Sequence, residues 1–296
     1  MIHRSDVENA WDRVRPLVRR TPVMELAPDE LGADVLFKLE LHQHTGTFKA
    51  RGAFNRVLSA SESGELDTEV GLVVASGGNA GLANAYAAAR LGVPAVVFVP
   101  ETAPAVKVAR LEAYGARVVP AGREYATAFA AAQEHVARTG ALYCHAYDQP
   151  EIAAGAGTLA LELTEQSSRP ADTVVVAVGG GGLMAGVAAA LEGQATVVGV
   201  EPHGAPTLRT ALDAGEPTDV PVSGIAADSL GARRIGEIAF DVARRARVRS
   251  VLVDDAAIIA ARALLWDRWR IVVEHGAAAA LAALTSGAYV PAPDER

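Results

Sequence analysis

Thr45-Gly46-Thr47-Phe48-Lys49-Ala50-Arg51-Gly52 is the stretch from which the chain is best read. Of 27 Lys+Arg residues only three are lysines, Lys38, Lys49 and Lys107. One of the three stands between a phenylalanine and an Ala-Arg pair, with glycines on either side. Phe48 offers an apolar wall for a flat ring. Gly46 and Gly52 allow tight turns around the amine. A desolvated lysine has a lowered pKa and becomes nucleophilic near neutrality. Lys38 alternates within a strand-like run, and Lys107 lies on a polar helix face.

The second informative stretch is Gly179-Gly180-Gly181-Gly182, directly after the apolar run Thr173 to Val178. Such a strand-to-helix turn aims backbone N–H groups and a helix dipole at an anion. Leu183-Met184 follow where a Walker loop needs Lys-Ser/Thr, and the spaced dinucleotide fingerprint is missing. Any phosphate would be held by backbone N–H groups alone. A nucleophilic amine and a phosphate cradle together point to a phosphorylated aldehyde held as an imine. Pyridoxal 5′-phosphate is the candidate. A plain structural turn stays open for the glycine run taken by itself.

Ser76-Gly77-Gly78-Asn79-Ala80-Gly81 is a second Gly-rich turn. Read functionally, it grips a carboxylate through a nest of N–H groups, Ser76 and Asn79; a plain turn stays open. His42 and His44 flank Gln43, but no nearby acid or cysteine completes a metal site. Trp266 and Trp269 stand at helical spacing with Leu264 and Leu265 and read as a core face.

Composition narrows the class. Hydrophobic residues make up 50% and charged residues 21%, as in a globular enzyme. The net charge of -8 argues against nucleic acid or an anionic membrane as partner. The basic clusters Arg13 to Arg20 and Arg244 to Arg249 read as solvated faces. A lone cysteine, Cys144, excludes an intrachain disulfide, and the polar N-terminus lacks a signal core. A cytoplasmic protein with a small-molecule partner is expected.

Short β-branched runs alternate with Ala-rich helical stretches. Val35 to Phe37, Gly71 to Val74, Ala95 to Val99 and Thr196 to Val200 read as buried parallel strands. Helices are expected at 82–91, 104–114, 124–139, 152–166, 183–191, 255–269 and 277–284. The alternation implies an α/β fold of open, mostly parallel sheets flanked by helices. Ligands collect beyond the carboxyl ends of such strands, so a cleft between two lobes with one Gly-rich turn from each is expected.

These motifs, in this order along nearly the whole chain, closely resemble the serine/threonine dehydratases among the fold-type II pyridoxal-phosphate enzymes, of tryptophan synthase β-like architecture. Gln43 to Ala53 looks like the family's lysine motif, Ser76 to Gly81 its carboxylate loop, Ala154 to Thr158 its Gly-rich link and Gly179 to Leu183 its phosphate loop. The resemblance implies a large domain of residues 1–51 and 147–296 and a small domain of 52–146. It implies an imine link at Lys49, with Phe48 and Ser229 on opposite faces of the ring. Asn79 would bond the ring 3′-oxygen, Ser286 the pyridine nitrogen, and Gly179, Gly180, Gly181, Gly182 and Leu183 the phosphate. Ser76, Gly77, Asn79 and Ala80 would take the substrate carboxylate. Glu201, Ala205 and Thr207 match a cation site; Thr207 lacks a carboxylate, which favours a potassium-like ion.

The implied activity is elimination of water from L-threonine or L-serine, giving a 2-oxo acid and ammonia, in a homodimer. An amino-acid racemase, a β-replacement synthase and a non-catalytic cofactor- or amino-acid-binding protein are the alternatives. Gly77 stands where family racemases place a serine acid/base, and with Ala80 makes the loop look like that of mammalian-type serine dehydratases. His275 replaces the proline usual after Glu274. The C-terminal regulatory domain of feedback-inhibited threonine deaminases is expected to be absent.

Overall fold

The computed structural model describes residues 1–296, the side chain of Pro28 apart. The elements run α1 (Arg4–Val14), β1 (Val23–Glu25), α2 (Pro28–Leu31), β2 (Leu36–Lys38), α3 (Lys49–Ser63), β3 (Leu72–Ala75), α4 (Asn79–Leu91), β4 (Ala95–Val99), α5 (Ala105–Ala113), β5 (Arg117–Pro120), α6 (Tyr125–Thr139), β6 (Leu142–Tyr143), α7 (Pro150–Gln166), β7 (Thr173–Ala177), α8 (Gly182–Leu191), β8 (Thr196–Pro202), α9 (Thr207–Ala214), α10 (Ala227–Leu230), α11 (Glu237–Arg245), β9 (Arg249–Val253), α12 (Asp255–Trp269) and α13 (His275–Thr285).

Two parallel sheets organise these elements. One has the order β5-β4-β3-β6 and the other β7-β8-β9. Their strands are Val-rich because helices cover both faces. Val73 and Ala75 face Ala128 and Ala132 of α6, while Leu72 and Val74 face Leu82 and Ala85 of α4. Each helix is the crossover that parallel pairing demands. Val35 to Phe37 departs from the sequence expectation. Its core, β2, pairs antiparallel with β1 in a hairpin of its own, Met24 opposite Phe37. Trp269 of α12 meets Phe37 edge-on at 5.3 Å, but Trp266 turns outward and is 51% exposed, so the expected core face holds only one of the two indoles.

The Ala- and Gly-rich composition serves close helix packing. Gly157 of α7 and Gly186 of α8 lie against each other, and a Cβ on either would overlap backbone of the opposite helix. Gly52 does not form the turn its sequence suggests; it lies inside α3, where a Cβ would come 2.7 Å from the Ile152 carbonyl of α7. These contacts bring α3, α7 and α8 to backbone distance and fix where Lys49 stands relative to the glycine turn.

A buried ion cluster reinforces that junction. Arg51 of α3 bonds both oxygens of Glu40 at 2.8 Å and Glu162 of α7 at 3.0 Å. Lys38 of β2 pairs with the other Glu162 oxygen and donates to Gln166 at 2.7 Å and the Thr21 carbonyl at 2.9 Å. Lys38 is therefore an interior cation, its pKa lowered by burial against the pull of Glu162. Among the described residues no helix is long and apolar enough to cross a membrane.

Candidate active site

Lys49 is the first residue of α3, not part of a turn; the turn lies just upstream, where Thr45 and Gly46 take φ of 63° and 83°. Its side chain is half-buried, and Nζ donates to the Ala146 carbonyl at 2.7 Å and lies 5.1 Å from the centre of the Phe48 ring. Among the described residues none forms an ion pair with it. Burial pushes its pKa down to about 8, against the pull of the Glu274 carboxylate. A substantial neutral fraction of the amine is thus present near pH 8.

Ala146 belongs to a turn, 145–149, that joins the lysine to the glycine run. His145 Nδ1 accepts the N–H groups of Tyr147 at 3.1 Å and Asp148 at 2.8 Å. With Nδ1 committed as acceptor, the ring proton sits on Nε2. Burial, opposed by Asp148 and reinforced by Lys49, lowers its pKa and keeps it neutral. Tyr147 lays its ring over Gly180, where a Cβ would collide with it, and donates its hydroxyl to the Arg234 carbonyl at 3.2 Å. Asp148 caps α11 by accepting the N–H groups of Glu237 and Ile238.

The glycine run spans the end of β7 and the start of α8. Gly181, at φ +87°, makes the bend that only glycine takes without strain. The Gly179 carbonyl accepts Thr207 Oγ1, and the Gly180 carbonyl accepts the Gly236 N–H. The N–H groups of Gly179, Gly180, Gly181, Gly182 and Leu183 have no acceptor among the described residues. Unpaired donors at a helix start, with no cationic side chain among them, fit the phosphate expected here. The half-buried amine likewise fits an aldehyde, so the residues present suit pyridoxal phosphate.

Across the cleft, Ser76, Gly77 and Gly78 follow β3, and Asn79 opens α4. Ser76 Oγ accepts the Gly78 N–H at 3.3 Å. The N–H groups of Asn79, Ala80 and Gly81 form the open first turn of α4, suited to a carboxylate. Asn79 Nδ2 donates to both oxygens of Glu274 at 2.9 Å. Sequence reasoning singles out Glu274 only for the histidine that follows it. Its position before the small-residue helix α13 is the one available signal that it belongs to the site.

Ser229 lies nearby. Its hydroxyl accepts the Gly276 N–H at 3.2 Å, and the next residue, Leu230, has its Cα 3.1 Å from where a Gly179 Cβ would stand. Ser286, expected at the pyridine nitrogen, lies at the other end of the helix that Glu274 opens. Glu274 and Ser286 cap opposite ends of α13, which has 11 residues. The rise of 1.5 Å per residue separates those ends by about 16 Å. The Ser286 side chain is exposed and donates back to the Ala282 carbonyl at 2.7 Å.

Glu201, Ala205 and Thr207 do come together. Glu201 is fully buried at the end of β8 and accepts Thr207 Oγ1 at 3.1 Å and the N–H groups of Leu208 at 2.6 Å and Arg209 at 2.9 Å. Burial raises its pKa to about 7 despite these bonds. In this structure the carboxylate caps α9. The His42/His44 pair is divided: His44 stacks on Tyr86 at 4.7 Å and bonds its hydroxyl, while His42 is exposed.

Comparison with known proteins follows the same lines. Residues 14–293 match the family model described as pyridoxal-phosphate dependent enzyme. The L-threonine ammonia-lyase of Geobacter sulfurreducens is 37% identical over 94% of this chain and 69% of its own. The solved T.th. threonine deaminase superposes with a TM-score of 0.89 at 36% identity, over 98% of this chain and 94% of that one. Maize serine racemase has a TM-score of 0.89 at 32% identity, over 96% of this chain and 86% of that one.

Proposed function

The chain belongs to the pyridoxal-phosphate dependent enzymes, and on that premise we propose that it is an L-threonine/L-serine ammonia-lyase, releasing a 2-oxo acid and ammonia by α,β-elimination. The observation that carries the proposal is the half-buried Lys49 amine, with a pKa of about 8, set opposite a carboxylate-sized nest at Ser76 to Gly81. When bound, pyridoxal phosphate supplies an electron sink for the pair left on the substrate α-carbon. The N–H groups of Gly179 to Leu183 would hold its phosphate, and Asn79 would bond its 3′-oxygen.

The residues divide the remaining work. Ser76, Asn79 and the N–H groups of α4 hold the substrate carboxylate, which fixes the α-carbon. Lys49, as the neutral amine, takes the α-proton. The β-hydroxyl departs as water with the proton that Lys49 took from the α-carbon, and hydrolysis of the released enamine yields the 2-oxo acid and ammonia. Phe48, behind the amine, excludes water from that side. A potassium-like ion at Glu201, Ala205 and Thr207 belongs to the proposal, supported by Thr207 Oγ1 standing within hydrogen-bond distance of both Glu201 and the Gly179 carbonyl.

Named relatives include ammonia-lyases and a racemase, so the racemase is the second reading. Gly77 weighs against it: the loop carries no side chain there to serve as a second acid/base. A Cβ at that position would also stand 3.3 Å from Val99 Cγ1. A small lobe of residues 52–146 within a large lobe of 1–51 and 147–296 is part of the same proposal, supported by the four-stranded sheet lying wholly inside the inserted segment. Exposed Ile259, Trp266 and Val272 support a homodimer, and the single free, buried Cys144 supports a cytoplasmic setting. Product analysis tests the activity. Equal amounts of 2-oxo acid and ammonia from L-threonine or L-serine are expected. Accumulation of the D-amino acid without 2-oxo acid would favour the racemase.

A further inference from the structure

Glu274 is the N-cap residue of α13, in extended conformation at φ -72° and ψ 162°, and its side chain is exposed to the cleft. The segment before it is pinned by Arg262 Nε, which donates to the Val273 carbonyl at 2.9 Å; Arg262 also lies 3.3 Å from His275 Nε2. From this fixed position both carboxylate oxygens accept Asn79 Nδ2 at 2.9 Å. A carboxamide has a donor end and an acceptor end of nearly equal shape. A carboxylate tolerates only the donor end. Glu274 therefore decides which way Asn79 faces.

We propose that Glu274 is the positioning residue of this site: it orients the Asn79 carboxamide through its two carboxylate oxygens. The groups around the Lys49 amine are few. Phe48 and the Ala146 carbonyl are neutral, and His145 on the turn after β6 has its pKa lowered by burial. His275 follows Glu274 in the chain, and Arg262 bonds the Val273 carbonyl just before it. Glu274 is thus the acid that opposes the loss of the Lys49 proton caused by burial. In the cofactor-free protein the amine yields its proton near pH 8.

The inference rests on the cofactor reading above, and loading experiments separate the two. Cofactor-stripped protein is mixed with pyridoxal phosphate across a pH series, and loading is followed by visible absorbance for wild type, Glu274→Gln, Glu274→Asp and His145→Asn. The loading rate follows the neutral fraction of Lys49. Wild type should show a midpoint near pH 8. Glu274→Gln should lower that midpoint by about one pH unit. It should also weaken cofactor binding about tenfold and shift the bound absorbance maximum, because Asn79 is free to flip. Glu274→Asp should return the midpoint toward wild type, and His145→Asn should leave it in place. The unfolding midpoint of the stripped protein should not move in Glu274→Gln, which sets the effect apart from a structural one. A Glu274→Gln protein that loads with the wild-type midpoint and spectrum overturns the inference alone. A wild type that takes up no cofactor overturns the cofactor reading and the inference with it.

Discussion

Replacing Arg51 by methionine removes one of two cations from a cluster that holds two carboxylates. Arg51 and Glu162 have no exposed side-chain surface, Lys38 keeps 8% and Glu40 14%. The substitution deletes two bonds to Glu40 at 2.8 Å and one to Glu162 at 3.0 Å. Glu40 can recover water at its exposed edge. Glu162 cannot, and must share Lys38 with Glu40. Removing one partner of a buried pair costs about 3–5 kcal/mol, against a total stability of about 5–15 kcal/mol for a folded chain. Arg51→Met should lower ΔG of unfolding by that amount in urea titration at unchanged m. Replacing the opposing charge as well, in Arg51→Met/Glu162→Gln, should recover at least about 1 kcal/mol, the coupling expected of groups in contact. Arg51 stands two residues after Lys49 at the start of α3, so Arg51→Met should also load cofactor more weakly. A cost below about 1 kcal/mol, or a double variant no better than the single, would refute the view that this cluster anchors the head of α3.

Three other outcomes follow from the structure. Glu201, with its pKa raised by burial from the usual 4.5 to about 7, binds its proton more tightly folded than unfolded. Its contribution is greatest at acid pH, and stability falls as pH rises from 4.5 to 7. Denaturation across that range should show the slope in wild type and not in Glu201→Gln, and a potassium ion seated beside the carboxylate would flatten it in wild type alone. Gly186→Ala, which forces a Cβ into the Ala153 carbonyl and Gly157, should cost about 1–3 kcal/mol and lower the melting temperature. Ser286→Ala should leave cofactor affinity and spectrum unchanged by absorbance titration, since the hydroxyl faces solvent at the far end of α13 from Glu274.

Local chemistry marks the working residues better than it marks their surroundings. Lys49 and Gly179 to Leu183 stand out because an isolated lysine and a glycine run after a Val-rich strand are local patterns. The helix that Lys49 begins is hidden by Gly52, which looks like a breaker and is a packing contact with α7. β6 has two residues, and β9 opens on the polar pair Arg249-Ser250 and leaves an apolar run of only three, so both are short signals. The interior ion cluster is not legible because Lys38 and Glu40, Arg51, and Glu162 come from three separate segments that meet only through tertiary packing. Glu274 escapes for the same reason, its partner Asn79 lying in the other sheet's first crossover helix. Ser286, expected from the resemblance, ends α13 with an exposed side chain.

Release of 2-oxo acid from L-threonine and L-serine, with pyridoxal phosphate and potassium present, compares wild type with Lys49→Ala. Steady production by wild type that disappears in Lys49→Ala, while the variant keeps its fold by circular dichroism, is the expected result. A cofactor-loaded wild type that yields no 2-oxo acid, or a Lys49→Ala variant that retains the wild-type rate, would contradict the assignment of Lys49 and the elimination it serves.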